Sequence, residues 1–471
     1  AHWRSFSASS IGRKPFTSSN SVAAMVGSTQ KRQYMTYHTN PRSIDPMARP
    51  IYNLLITVLT PLFVLRLFYK SLREPQYRRQ WWRRFALGLP ARTRPGDGLI
   101  WVHAVSVGEL LAVAPLIERL LTEWPDKAVL VTNTTPTGSA QTQKLFGRRV
   151  EHTWFPFDAP LVTGAFIRHW DPQLIVMVET EIWPNLLTSA KDHSVPVALV
   201  NARLSARSAR GYARLGSLTT RALNEFDLIA CQSKSDFRRF RKIGADPAKM
   251  QVVGSIKFDI DLAARRVQLE EIRDQLGEVI RSRPLWAAAS THPGEEQLVI
   301  KAYLALRERG LNTRLMLAPR HPNRTPEITK LLESYGLQHQ KRSEHRPLTD
   351  STDVLLIDTL GELSAFLGLA DAAFIGGSLV PRGGHNPIEA AAWGCAVITG
   401  PHVINFASIV RDMERGGAIR VVKDEDELAS RLASVWTESM DSDDAQVARR
   451  FIETRRGATR RQLELLKTLV A

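Results

Sequence analysis

Short apolar runs alternate with longer amphipathic segments along most of this 471-residue chain, and the alternation occurs twice. The first series is "LIWVHA" (99–104), "AVLVTN" (128–133), "LIVMVET" (174–180), "PVALVN" (196–201) and "LIACQ" (228–232). After "MQVVGSIKFD" it restarts as "LWAAAS" (285–290), "RLMLAP" (314–319), "VLLID" (354–358), "AAFIGG" (372–377) and "AVITG" (396–400). Strand–helix alternation implies a parallel sheet with right-handed crossovers. Two such series predict an α/β chain of two Rossmann-like domains, spanning 71–250 and 251–471 and joined near Val252 to Lys257. The length agrees, because it exceeds what a single core usually supports.

Ligands of such sheets bind beyond the carboxyl ends of the strands, and in a two-domain chain they bind in the cleft between the domains. The segments following the second-series strands are therefore informative. Four of them, "STHPGEE" (290–296), "APRHPNR" (318–324), "DTLGEL" (358–363) and "GGSLVPRGGHNPIEAA" (376–391), combine Gly or Pro with polar or charged residues and lead into a helix. In the last, Asn386 suits an N-cap, Pro387 the first helical turn and Glu389 the N3 position. That arrangement has two uses. Asn386 and Glu389 could pair as a capping box. Alternatively the free N–H groups could hold a phosphate, with Gly383 and Gly384 allowing close approach and Glu389 accepting from a ribose. Four such loops on one rim favour the pocket.

The N-terminus differs in kind. Residues 1–84 carry fourteen Lys and Arg against Asp45 and Glu74, which is most of the formal charge of +16. The rest of the chain is near neutral, which argues against a nucleic-acid partner for the folded body. Residues 1–46 are rich in Ser, Thr and Arg and lack apolar periodicity; they read as disordered, as a targeting peptide or, as we favour, as sequence upstream of a true start at Met47. Ile51 to Leu65 is almost wholly apolar, broken by Pro61 and followed by Arg66. It is flanked by basic residues and by Trp81 and Trp82, as at a cytoplasmic membrane surface. Residues 47–70 are expected to form a tilted or shallow membrane anchor. Cys231 and Cys395 stand far apart in apolar runs and read as buried free thiols.

The motifs "HAVSVGEL", "VETEIWPN", "NARLSARS", "GSIKFD", "STHPGEE", "PRHPNR", "GGSLVPRGGHNPIEAA" and "GPHVINF" occur in that order across both halves. Together they resemble the Kdo transferases, which attach 3-deoxy-D-manno-octulosonic acid (Kdo) to lipid A precursor in Gram-negative bacteria. The resemblance runs from about Met47 to the C-terminus. It implies a two-domain inverting glycosyltransferase of the GT-B type, anchored in the bacterial inner membrane with its catalytic domains on the cytoplasmic side. The N-terminal domain would hold the lipid acceptor (lipid IVA) and the C-terminal domain the donor, CMP-Kdo.

The same resemblance implies roles for particular residues. Glu109 of "SVGE" corresponds to the general base, a role that suits a glutamate at a helix start after a strand and a Gly108 turn. Glu179 of "ETE" and Lys257 of "IKFD" correspond to residues that stabilise the transition state. In an extended strand Glu179 and Glu181 would share one face, their alternative use being to cap the helix that Pro184 begins. Contacts to CMP correspond to Pro319 and Arg320, to Leu360, Gly361 and Glu362, and to Asn386, Pro387, Ile388 and Glu389. No cofactor or metal is expected, because a departing monophosphate carries less charge than a diphosphate; Asp259 and Asp261, and the acidic run 424–427, only mimic metal motifs. One further feature comes from spacing alone. Arg203, Arg207, Arg210 and Arg214 recur at helical intervals and would put four guanidiniums on one face, suited to acceptor or membrane phosphates.

Overall fold

The computed structural model describes residues 47–93, 97–437 and 444–470; the expectation for residues 1–46 lies outside them. Two seven-stranded sheets, every pairing parallel, organise the described chain. The first comprises β1 (Leu99–His103), β2 (Ala128–Asn133), β3 (Glu151–Trp154), β4 (Leu174–Val178), β5 (Val197–Ala202), β6 (Leu228–Cys231) and β7 (Met250–Val252), in the order β3-β2-β1-β4-β5-β6-β7. The second comprises β8 (Leu285–Thr291), β9 (Arg314–Pro319), β10 (His339–Lys341), β11 (Val354–Leu356), β12 (Ala372–Ile375), β13 (Ala396–Thr399) and β14 (Arg420–Val421), in the order β10-β11-β9-β8-β12-β13-β14.

All ten apolar runs are strands. β1, β4, β8 and β12 are almost entirely buried, because helices cover both faces of each sheet. The strands that the pattern did not reveal are β3, β7, β10 and β14, each two to four residues long and at a sheet edge. Such short, partly polar segments give no alternation to read. Cys231 and Cys395 are free and buried.

The last helix, Ala458–Lys467, packs against the first sheet although it ends the chain. Leu463 and Leu466 join the same core as Ile100, Val102 and Val176. Its start is tied by Asp259, whose carboxylate accepts from the N–H groups of Gly457 and Thr459, each at 2.5 Å. Gln462 Oε1 then accepts from Asn201 N at 2.8 Å.

One N-terminal helix, Ala48–Arg73, is long and apolar enough to cross a membrane. It runs through Pro61 and past Arg66, longer than the apolar run suggested. Ile51, Leu54, Val58, Leu62 and Leu65 are exposed on it, an outward apolar face.

Candidate active site

In the first sheet the strand order reverses between β1 and β4, which opens a crevice at their carboxyl ends. Glu109 enters that crevice from the β1 side. It lies in the first turn of the helix Val107–Glu123, and its Oε2 accepts from Val105 N at 2.5 Å. From the β4 side come Glu179 and Glu181. The two do not share a strand face, because β4 ends at Val178 and Glu179 takes a left-handed φ of 62°. That turn sends them to different partners. Glu179 Oε1 accepts from Lys257 Nζ at 3.0 Å, and Glu181 Oε2 accepts from the Trp183 indole at 2.7 Å. Neither caps the helix Pro184–Asp192. Asp158 does so, accepting from the N–H groups of Asn185 (3.1 Å) and Leu186 (2.7 Å).

Three carboxyl groups and one ammonium therefore share a partly buried site. Burial is the main force raising the Glu109 carboxyl to about 7; Glu181 and, more weakly, Glu179 push the same way, while the Val105 N–H opposes them. Burial likewise raises Glu181 to about 7, against the pull of the Trp183 donor. A carboxylate held near neutrality can accept a proton from an incoming hydroxyl and still be ionised in a useful fraction of molecules. Lys257, at the join between the two sheets, supplies the balancing positive charge.

The second sheet reverses between β8 and β12, and the loops after these strands are locked together by Glu295. Its buried carboxylate accepts from the N–H groups of Gly377 (2.6 Å), Ser378 (2.8 Å), Leu379 (2.9 Å) and His292 (3.0 Å). Gly376 is required there, since a Cβ would stand 2.8 Å from Ser290 O and from Thr291 Cα. Gly383 and Gly384 also serve the packing of the chain on itself. A Cβ on Gly383 would meet Asn405 at 2.6 Å and one on Gly384 would meet Val403 at 3.2 Å, so these glycines let two loops of the chain itself approach.

The helix expected to begin at Pro387 starts at Ile388 and is six residues long. Asn386 Oδ1 accepts from Ile388 N at 3.2 Å and its amide donates to Glu389 Oε1 at 3.4 Å, the local pairing that the sequence allowed. Arg320 follows the buried Pro319 and is exposed, its N–H tied to Thr291 O at 2.9 Å. Leu360 is 80% exposed beside Gly361, whose φ is 89°. Glu362 is already engaged by Arg342 at 3.0 Å. Of the four arginines proposed as one face, Arg207, Arg210 and Arg214 are exposed on the helix Ala206–Arg214, whereas Arg203 precedes its N-cap, Ser205.

Sequence reasoning overlooked the histidines. His292 and His385 stack with planes 1° apart and Nε2 atoms 3.0 Å apart, and His321 meets His292 edge-on. Burial lowers His385 to about 4, helped by His292, Arg320 and His321. This end is rich in N–H donors and positive charge, the converse of the acidic end of the first sheet. The visible signal was three His residues just after β8, β9 and β12, in "THPG", "RHPN" and "GHNP".

Two doubly wound sheets, one with a titratable acidic cluster and the other with a basic rim, each at a switch point, define a chain of the GT-B fold. The same fold is seen in UDP-GlcNAc 2-epimerase from Neisseria meningitidis, with a TM-score of 0.52 at 14% identity over 78% of this chain and 100% of that one. Residues 79–260 match the family described as 3-deoxy-D-manno-octulosonic-acid transferase (kdotransferase). The 3-deoxy-D-manno-octulosonic acid transferase of Haemophilus influenzae is 34% identical over 89% of this chain and 98% of its own length. That of Bordetella pertussis is 36% identical over 89% and 99%. The chain belongs to the Kdo transferase family and is a glycosyltransferase.

Proposed function

We propose that this chain transfers Kdo from CMP-Kdo to a hydroxyl of a lipid A precursor (lipid IVA), with inversion and release of CMP. The observation that carries the reading is Glu109. It stands at the open switch point of the first sheet with its carboxyl near 7, close enough to Glu181 and Glu179 for their charges to act on it. The acceptor oxygen attacks the anomeric carbon of Kdo on the face opposite the phosphate. The bond from that carbon to the phosphate oxygen breaks and its electron pair leaves with CMP. Glu109 takes the hydroxyl proton.

Lys257, oriented by Glu179, offsets the negative charge of the sugar carboxylate or of the departing phosphate. The nucleotide would lie on the second sheet, against Pro319 and Arg320, Leu360 to Glu362, and Asn386 to Glu389. Because Glu362 and Glu389 each have a protein partner, their contribution would be through backbone groups and loop shape. The N-terminal helix would hold the enzyme at the inner membrane with both sheets on the cytoplasmic side.

The test is a mass-spectrometric transfer assay with CMP-Kdo and tetraacylated lipid A precursor. Glu109→Gln keeps the shape but cannot take a proton, so kcat should fall about 10²–10⁴-fold with no loss of Tm. Transfer by the variant at the wild-type rate would remove Glu109 as the base.

A further inference from the structure

The N-terminal helix leaves a cavity of about 300 Å³ between itself and the loop that follows β3. Phe63 and Leu67 of the helix and Phe155, Phe157 and Trp183 of the body make its walls apolar. Arg84 is set into this lining and is only 6% exposed. Its Nη2 donates to Thr134 O at 2.8 Å, while its Nε and the nearby Thr134 Oγ1 are buried without hydrogen-bond partners. Among the described residues no carboxylate forms an ion pair with Arg84. Trp154 lies 4.5 Å away and offers a ring face rather than a charge. Asp158, also in the wall, is engaged by the Tyr52 hydroxyl at 2.7 Å and by two helix N–H groups. Arg66 and Lys70 of the helix add two further cations.

Buried charges are as a rule paired, so the anion that matches Arg84 is expected to come from outside the chain. The cavity wall also touches the acidic cluster. Trp183 donates to Glu181, Phe155 stacks on His103 with centroids 3.7 Å apart, and the N–H groups of Thr134 and Thr135 bond to the carbonyl of Val105, whose own N–H holds Glu109.

We infer that this cavity is a subsite for a phosphorylated, acylated sugar: a phosphate on Arg84, acyl carbon against Phe63, Phe157 and Trp183, and the sugar toward Glu109. The inference rests on the acceptor reading above and deepens it by naming where the acceptor's charge is held. An apolar wall beside an unmatched guanidinium fits an anionic amphiphile better than a water-soluble phosphate. The outward apolar face of the same helix would place the opening beside the bilayer that supplies it.

The experiment compares bisphosphorylated tetraacyl lipid A disaccharide with the same disaccharide lacking both phosphates. For wild type the phosphorylated acceptor should have a KM lower by about tenfold or more, the range of a charge-assisted contact. Arg84→Met should abolish that preference at nearly unchanged kcat, without lowering Tm, because it removes a buried unmatched charge. Arg84→Lys should restore part of the preference. Should Arg84→Met fail to fold, Arg66→Gln/Lys70→Gln on the helix carries the same test, with a weaker loss expected.

An unchanged preference in these variants overturns the inference while leaving the acceptor reading intact. So does a Tm rise of wild type, absent in Arg84→Met, on phosphatidylglycerol vesicles with the acceptor preference unaltered, which would give the cavity to bilayer lipid. Wild type that transfers to neither disaccharide overturns the acceptor reading itself, and this inference with it.

Discussion

Glu181 Oε2 lies 3.9 Å from Nε2 of the fully buried His103, a ring nitrogen with no hydrogen-bond partner. His103 Nδ1 is 3.1 Å from the carbonyl of Thr132, which can only accept, so the ring proton belongs on Nδ1 and Nε2 presents a lone pair. Burial keeps the ring neutral, lowering it to about 3. A lone pair facing an ionised carboxylate is unfavourable, so this contact favours Glu181 in its protonated form.

Glu181→Gln should therefore fold, and it should move the acidic limb of the kcat profile to lower pH, because one of the groups that raise Glu109 loses its charge. The sign for stability follows from the same shift. Glu181 binds a proton up to about 7 when folded but only to about 4.5 when unfolded. Its contribution is thus lost as pH rises through that window. The variant should show a flatter fall of Tm between pH 4.5 and 7. An unmoved acidic limb would separate Glu181 from the titration of Glu109.

Lys257 and Glu179 pair at 3.0 Å with side chains 27% and 16% exposed. A partly exposed pair contributes roughly 1 kcal/mol or less to stability. Lys257→Met should leave Tm within a few degrees but lower kcat by about 10²-fold, the range expected for losing a transition-state charge contact. A large Tm loss with intact turnover per folded molecule would make the pair a structural one.

Arg207, Arg210 and Arg214 lie on one exposed helix surface with no ion pair among the described residues. Replacing all three with Gln should raise the acceptor KM and weaken its salt dependence, while the KM for CMP-Kdo stays the same. An acceptor KM equal to wild type would leave these arginines as an ordinary solvated surface.

A Cβ on Gly376 would stand only 2.8 Å from Ser290 O and Thr291 Cα. Gly376→Ala would push the end of β12 from that of β8 and disturb the loop that Glu295 holds. We expect a loss of roughly 1–3 kcal/mol in urea unfolding, together with a raised KM for the donor. Wild-type stability would mean that the two strand ends separate freely.

The amino-acid sequence by itself determined the two α/β series, all ten apolar strands and the regions that flank both switch points. Those features are local: a buried parallel strand must be apolar along its whole length, and the loop after it must turn into a helix. It also contained the motifs around Glu109, Glu179 and Lys257. Only the tertiary structure decided what each group meets. The turn at Glu179 separates it from Glu181, Asp158 rather than either glutamate caps the helix after them, and Asn405 packs closely on Gly383. His103, Glu295 and Arg84 drew no notice in sequence because their character comes from burial and from partners 29, 82 and 50 residues away. The return of the last helix to the first sheet is of the same kind, since Asp259 and Gln462 find their partners only once both sheets have formed.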